Sequence, residues 1–139
     1  DYLLGRNIML GFRNSIFQLS RYIGVGTINS IVGFATIFAL MYLGIAPWIA
    51  NASGYLVGLF LGFFLSRRFV FFSNGQLARE GILYLLSFII SFTANLLALN
   101  FMLRHLLMNA IVAQFISTAI YAISMYLLCQ LLVFNIRKS

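Results

Sequence analysis

The chain has 139 residues, of which 63% are hydrophobic and only 8% charged. A water-soluble domain of this size does not stay in solution with so few charged side chains, so the composition predicts an integral membrane protein. Nine lysines and arginines against two acidic residues give a net charge of +7. In a soluble protein that charge would suggest a nucleic-acid partner. Beside apolar spans, basic residues instead mark topology and contacts with anionic lipid headgroups, so no nucleic-acid partner is expected.

The first twenty residues predict an amphipathic helix at the membrane interface. Its apolar side chains fall near one helical face and its polar side chains lie away from that face. The apolar set is Ile8, Met9, Phe12, Ile16 and Leu19, and the polar set is Arg6, Arg13, Asn14 and Gln18.

The sequence predicts four membrane spans. Residues 22–66 contain no charge and are too long for one span of about 20 residues, so they hold two. Gly44 and Pro47 interrupt this run, and Trp48 suits the membrane interface. The third span lies between Glu80 and Arg104, and the fourth ends before Arg137 and Lys138. The predicted fold is therefore all-α, with four transmembrane helices in two hairpins forming a single domain over residues 1–139. The predicted spans cover about residues 21–43, 48–66, 82–103 and 110–134.

Basic residues predict that both termini and the loop between the second and third spans are cytoplasmic. Eight basic residues fall on that side and one, Arg104, falls on the other. The eight are Arg6, Arg13, Arg21, Arg67, Arg68, Arg79, Arg137 and Lys138.

A weak internal repeat accompanies this topology. Leu65, Val70 and Phe71 recur as Leu128, Val133 and Phe134, each 63 residues later at the end of a hairpin. A duplication of two hairpins in one orientation is one explanation of this repeat. Chance agreement between apolar segments is the alternative.

Small and polar residues recur at steps of three and four in every span, which places them on one face of each helix. Gly54, Gly58 and Gly62 favour close helix packing. Amides cost free energy in hydrocarbon unless they are paired or hydrated, so they either bond across the bundle or line a polar route for a headgroup. The candidates for such a route are Asn29, Asn51, Ser66, Asn95 and Gln114.

Arg67 and Arg68 end the second span, and Arg21 falls on the same predicted side. Guanidinium groups bind phosphate with two parallel hydrogen bonds, so these residues are candidates for a lipid-phosphate site. A positive-inside anchor is the alternative. Residues 69–72, which are Phe-Val-Phe-Phe, keep the arginines close to the membrane.

The sequence contains few residues that could serve as catalytic groups. Asp1 and Glu80 are the acids and His105 is the histidine, which leaves no catalytic pair and no metal-ligand set. The predicted spans contain no carboxylate of the kind that proton-coupled exporters use, which disfavours a small multidrug exporter. We therefore expect no enzyme activity, cofactor or metal.

Two motifs resemble the GtrA-like membrane proteins over about residues 18–134. Residues 21–30, RYIGVGTINS, are similar to the family's opening motif of an aromatic residue, Val-Gly and then Asn-Ser or Asn-Thr. Residues 64–71, FLSRRFVF, are similar to its Phe, Asn-Arg and aromatic-Val-Phe pattern, with Ser66 where the family usually has Asn.

The resemblance implies a function in cell-surface polysaccharide synthesis in the bacterial inner membrane. Family members are thought to move a monosaccharide linked to a polyprenyl phosphate, such as undecaprenyl phosphate, to the outer leaflet. By motif position, Arg67 and Arg68 would hold the lipid phosphate, and Asn29 and Asn51 would face the sugar or pair across the bundle.

The expected partners are the lipid-linked sugar, membrane lipids and a membrane glycosyltransferase. Four spans enclose little volume, so we also expect a homo-oligomer or a complex with the glycosyltransferase, with Gly54, Gly58 and Gly62 as candidate contacts. The alternative function is a scaffold that anchors the glycosyltransferase and transports nothing.

Overall fold

The computed structural model describes residues 2–134, and its regular elements in that range are helical. The α-helices are α1 (Tyr2–Tyr42), α2 (Pro47–Leu65), α3 (Leu77–Arg104) and α4 (Ala110–Leu128). Four helical stretches are long and apolar enough to cross a membrane, which confirms the predicted all-α transmembrane fold.

Some predictions concern parts of the chain outside this description. Arg137 and Lys138, which were counted for the orientation, lie outside the described residues. The same holds for the side chains of Arg6, Ile8, Phe12 and Trp48.

The chain divides into two compact units, Asp1–Ser73 and Asn74–Ser139. In the first unit, hairpin 1, α1 packs against α2 and against a π-helical turn at Ser66–Val70. In the second unit, hairpin 2, α3 packs against α4 and against a π-helical turn at Cys129–Val133. The prediction of two hairpins is confirmed.

Helix α1 is much longer than a membrane span. Its 41 residues extend over roughly 60 Å, about twice the thickness of the hydrocarbon core. The N-terminal segment predicted as a separate interfacial helix is helical, and it continues into the first span as one helix. Several of its apolar side chains are exposed, among them Met9, Ile16 and Phe17.

Helix α3 begins at Leu77, earlier than the predicted start near residue 82. Its first turn contains Glu80, whose side chain is buried at 2% exposure. The expectation that the spans lack a carboxylate is therefore corrected, since this helix carries a buried one at its N-terminal end. A carboxylate is stabilised there by the positive end of the helix dipole.

The predicted internal repeat is supported by matching backbone features. Each second helix ends in a π-turn, in which Phe71 N donates to Ser66 O at 3.0 Å and Phe134 N donates to Cys129 O at 2.8 Å. The loops between paired helices also match, because Gly44 and Leu107, 63 residues apart, both have positive φ. Such turns are uncommon in helices, so their recurrence at one spacing favours duplication over chance.

The buried residues follow the same repeat. Ala50 and Ala113 are both fully buried near the start of the second helix of each hairpin. The first helices match at a spacing of 62 residues instead, as with Tyr22 and Tyr84. The difference arises in the connecting loops, because the loop at 105–109 is one residue longer than the loop at 43–46.

Candidate functional site

The arginine pair lies on the π-turn of hairpin 1. Ser66 and Val70 are buried, whereas Arg67 is half-buried and Arg68 is exposed. Phe71, which follows the turn, is 1% exposed. The π-turn thus buries Ser66, Val70 and Phe71, while Arg67 and Arg68 remain less buried at the end of the helix.

Arg21 comes to the same end of hairpin 1 from α1. Its guanidinium carbon lies 4.9 Å from the centroid of the Phe72 ring. The guanidinium carbon of Arg68 lies 6.0 Å from the centroid of the Phe69 ring. Cations stack on aromatic faces at such distances, and a stacked guanidinium keeps its N–H groups available at its edge. The three arginines therefore belong to one end of one hairpin.

Asn29 lies on α1 where it faces α2. A Cβ atom added to Gly58 would lie 3.6 Å from Asn29 Oδ1, so the missing side chain of Gly58 makes room for the amide. The Oδ1 atom is buried and has no hydrogen-bond partner in the part of the chain that the structure describes. An unpaired buried acceptor costs about 1–3 kcal/mol, which marks this position as one suited to a polar ligand or partner.

The glycines of α2 are used inside hairpin 1. A Cβ atom added to Gly54 would meet the Ile37 side chain and would lie 2.9 Å from Gly33 O. Gly54, Gly58 and Gly62 are buried in the chain itself. At Gly54 and Gly58, the close approach that small residues permit is made between α1 and α2. Contacts of the three glycines between copies of the chain stay a prediction.

The other polar candidates are spread over both hairpins. Ser66 and Asn95 are buried, at 1% and 8% exposure. Asn51 and Gln114 are exposed, 63 residues apart, one turn inside the second helix of each hairpin. An exposed amide on a membrane-spanning helix is costly in hydrocarbon, so both are candidates for contacts with polar groups near the membrane surface.

Hairpin 1 therefore carries its polar groups at three levels and not in one pocket. Along α1, Asn29 is about 12 Å from Arg21, and along α2, Asn51 is about 24 Å from Arg67. The structure places the three arginines at one end of hairpin 1, separated along the helices from the two amides.

Sequence reasoning missed Glu80 and Phe72. Glu80 precedes the charge-free run of residues 81–103, so it was assigned to the loop before the span, although the helix already begins at Leu77. Phe72 has a positive φ of 48°, an unusual conformation for a large side chain, and no sequence signal predicted it. The aromatic residues that follow Arg68 were the one feature of the sequence that could have indicated an aromatic contact with an arginine.

Comparison with known proteins agrees with this description. A family model described as GtrA/DPMS, transmembrane domain, matches residues 21–134. The chain belongs to the GtrA/DPMS transmembrane domain family. The match begins at Arg21 and ends at Phe134, so it includes all three arginines and both π-turns. No curated protein matched the chain.

Membership of the family confirms the resemblance read from the two motifs. Together with the four apolar helices, it establishes a multi-pass membrane protein. Chemically, the arginine end of hairpin 1 is suited to an anion, and the buried amide of Asn29 is suited to a hydroxyl or another polar group.

Proposed function

We propose that this protein moves a polyprenyl-phosphate-linked monosaccharide from the cytoplasmic to the outer leaflet of the bacterial inner membrane. The observation that carries the proposal is the cluster of Arg21, Arg67 and Arg68 at the predicted cytoplasmic end of hairpin 1. The family supports a membrane protein of glycan synthesis, and the arginines supply the chemistry that a lipid phosphate requires.

Phosphate binding is the first step of the proposed cycle. A phosphodiester at the membrane interface carries one negative charge on oxygens that accept hydrogen bonds. Arg67 and Arg68 donate to these oxygens, while Arg21 approaches from the neighbouring helix. Charge-assisted hydrogen bonds of this kind contribute about 1.5–3 kcal/mol each, which is about tenfold to a hundredfold in affinity.

Sugar transfer is the second step, and the amides at deeper levels serve it. Sugar hydroxyls lose water as they enter the membrane, and each unpaired hydroxyl there costs free energy. Asn29 offers a buried acceptor part-way along α1, and Asn51 offers an exposed amide towards the other end of α2. The polyprenyl chain stays in lipid throughout. On this proposal, Ser66 extends the polar route in hairpin 1, and Asn95 and Gln114 are the corresponding candidates within hairpin 2.

The proposed cycle requires no catalysis by this chain. A membrane glycosyltransferase makes the lipid-linked sugar on the cytoplasmic face, and consumption of the sugar outside draws the transport forward. Proton uncouplers should therefore leave transport in sealed vesicles unchanged, and inhibition would contradict this energy source. We further propose that the chain works as a homo-oligomer or in a complex with the glycosyltransferase.

A non-transporting scaffold is the second candidate function, and the length of α1 favours it. The part of α1 before the matched family region exposes Met9 at 72%, Ile16 at 54% and Phe17 at 60%. An apolar helical surface of this kind suits a partner protein such as a glycosyltransferase. A scaffold would recruit the enzyme and show no translocation.

The phosphate site is tested by native mass spectrometry of the protein in nanodiscs with a polyprenyl-phosphate sugar. We expect Arg67→Ala and Arg68→Ala each to weaken binding at least about tenfold. Arg79→Ala is the matched control, since Arg79 is exposed and falls on the same predicted side. Equal binding by all variants would show that the arginines are topology anchors.

Translocation is tested separately, in vesicles that contain the same lipid-linked sugar. Asn29→Ala and Asn51→Ala should slow its movement between leaflets while recruitment of the glycosyltransferase is retained. Asn100→Ala is the control, because Asn100 is an exposed amide on α3 outside the proposed route. Recruitment by a wild-type protein that transports nothing would establish the scaffold in place of the transporter.

A further inference from the structure

Phe72 adopts a backbone conformation that a phenylalanine rarely takes. Its φ of 48° lies in the left-handed region, where Cβ crowds the carbonyl oxygen. Helices often end with a left-handed residue, but that residue is usually glycine. This chain follows that rule after α1, where Gly44 has a φ of 82°, but not after α3, where Leu107 has a φ of 48°. The positive φ alone therefore assigns no function to Phe72, and the contacts of its ring decide.

Core packing does not account for the Phe72 ring. The preceding residue, Phe71, fills the buried position at 1% exposure, whereas Phe72 is 60% exposed. The turn itself is closed by the backbone, with Ser73 N donating to Arg67 O at 3.0 Å. What the ring does contact is the guanidinium of Arg21, which lies 4.9 Å from its centroid.

We infer that Phe72 is a positioning residue for the anion site of hairpin 1, an inference that rests on the proposed function. The ring supports one face of the Arg21 guanidinium and holds it beside the turn that carries Arg67 and Arg68. A guanidinium restrained in this way keeps its N–H edge free for phosphate oxygens. It also loses less conformational entropy when the phosphate binds, which strengthens binding.

Phe69 provides a matched comparison within the same turn. Its exposure is 49%, close to that of Phe72, and an arginine also lies near its ring. That arginine is its own neighbour Arg68, at 6.0 Å, the outer limit of such contacts. Removing the Phe69 ring should therefore affect anion binding less than removing the Phe72 ring.

The test measures thermal stability and binding of a polyprenyl phosphate in nanodiscs, for Phe72→Gly, Phe72→Trp and Phe69→Ala. We expect Phe72→Gly to raise the melting temperature, because glycine adopts a positive φ without strain, and to weaken binding about threefold to tenfold. Phe72→Trp retains an aromatic face and should bind within about twofold of wild type. Phe69→Ala should weaken binding less than Phe72→Gly does, because its contact with Arg68 is at the outer limit of such contacts.

The outcomes separate this inference from the proposed function. If Arg21→Ala weakens binding but Phe72→Gly does not, the arginine binds phosphate without help from the ring and the inference is overturned. If Arg21→Ala, Arg67→Ala and Arg68→Ala all bind as wild type does, the phosphate site itself is wrong. A second measurement needs no lipid: it compares the melting temperature of the Arg21→Ala and Phe72→Gly double variant with those of the two single variants. Additive changes in melting temperature would show that the stack is not formed, which also overturns the inference.

Discussion

Hairpin 1 and hairpin 2 end their second helices in the same π-turn, yet they differ in charge at that point. In hairpin 1 the turn carries Arg67 and Arg68, and in hairpin 2 the residues 63 positions later are Gln130 and Leu131. The backbone hydrogen bonds and the buried residues match, whereas within the two described turns only that of hairpin 1, SRRFV, contains arginines, and that of hairpin 2 is CQLLV. The comparison suggests that the turn is a structural feature of both halves, and that anion binding was added to or retained in one of them.

The helix contacts differ in a second, compensating way. Asn29 faces Gly58 in hairpin 1, and the residues at the corresponding positions of hairpin 2 are Ser91 and Tyr121. In hairpin 1 the larger residue, Asn29, is on the first helix and the smaller, Gly58, is on the second. In hairpin 2 the smaller residue, Ser91, is on the first helix and the larger, Tyr121, is on the second. Within the described residues, Asn29 Oδ1 and Ser91 Oγ are both buried without a hydrogen-bond partner. Both halves therefore have an unpaired polar atom at corresponding positions of their first helices.

The largest expected effect concerns the helix contact that only hairpin 1 makes through a glycine. Gly54→Val should destabilise the protein by about 3 kcal/mol, because the added side chain meets Ile37 and the Gly33 backbone. The corresponding residue of hairpin 2 is Ser117, which is also buried. Ser117→Ala, which adds no volume, should cost about 1 kcal/mol or less.

The measurement is reversible unfolding of the two variants in mild detergent. If Gly54→Val were no more destabilising than Ser117→Ala, the close approach of α1 and α2 at Gly54 would be contradicted. The two hairpins would then not differ in how tightly their helices pack.

The next effect concerns Glu80, whose counterpart 62 residues earlier in α1 is the half-buried Gln18. Glu80→Ala should destabilise the protein by about 2 kcal/mol, because it removes a polar side chain that is 2% exposed. Glu80→Gln should cost about 0.5 kcal/mol or less, since glutamine suits the same position in the other half. An equal loss in both variants, measured by thermal unfolding, would show that the charge itself is required.

Sequence predicted the fold well where the signal is a long apolar run. Four spans followed from charge-free segments, because crossing a bilayer requires about 20 apolar residues. The ends of helices were less predictable. Helix α3 starts before Arg79 and Glu80, because backbone hydrogen bonding continues a helix past the point where hydropathy falls.

The candidate site was predictable in its residue types and not in its arrangement. Arg67 and Arg68 were identified because two arginines follow an apolar span. The π-turn that presents them is closed by Phe71 N donating to Ser66 O and buries both residues, which sequence spacing does not specify. The same reason applies to the glycines of α2: periodicity identifies a close-packing face and does not say which helix it meets.

A smaller effect is expected from transferring the charges to hairpin 2. Gln130→Arg with Leu131→Arg should create a second site for a polyprenyl phosphate, about tenfold weaker than the first. It should be weaker because the position corresponding to Arg21 is Leu83. Native mass spectrometry would then show two bound lipids per chain. A single bound lipid at saturating concentration would mean that the π-turn with two arginines does not suffice.

The smallest effect on stability should come from Asn29→Ser, which gives hairpin 1 the residue that hairpin 2 has at this position. Because Asn29 Oδ1 accepts no hydrogen bond from the described residues, its removal relieves a cost that offsets the lost packing, and the free energy of unfolding should change by about 0.5 kcal/mol or less in either direction. Ser91→Ala is the control in hairpin 2 and should be equally mild. Transport of the lipid-linked sugar should nevertheless fall in Asn29→Ser, because serine cannot reach as far as the amide. If the variant unfolded easily, Asn29 would be a packing residue, and any loss of transport would follow from the loss of hairpin 1.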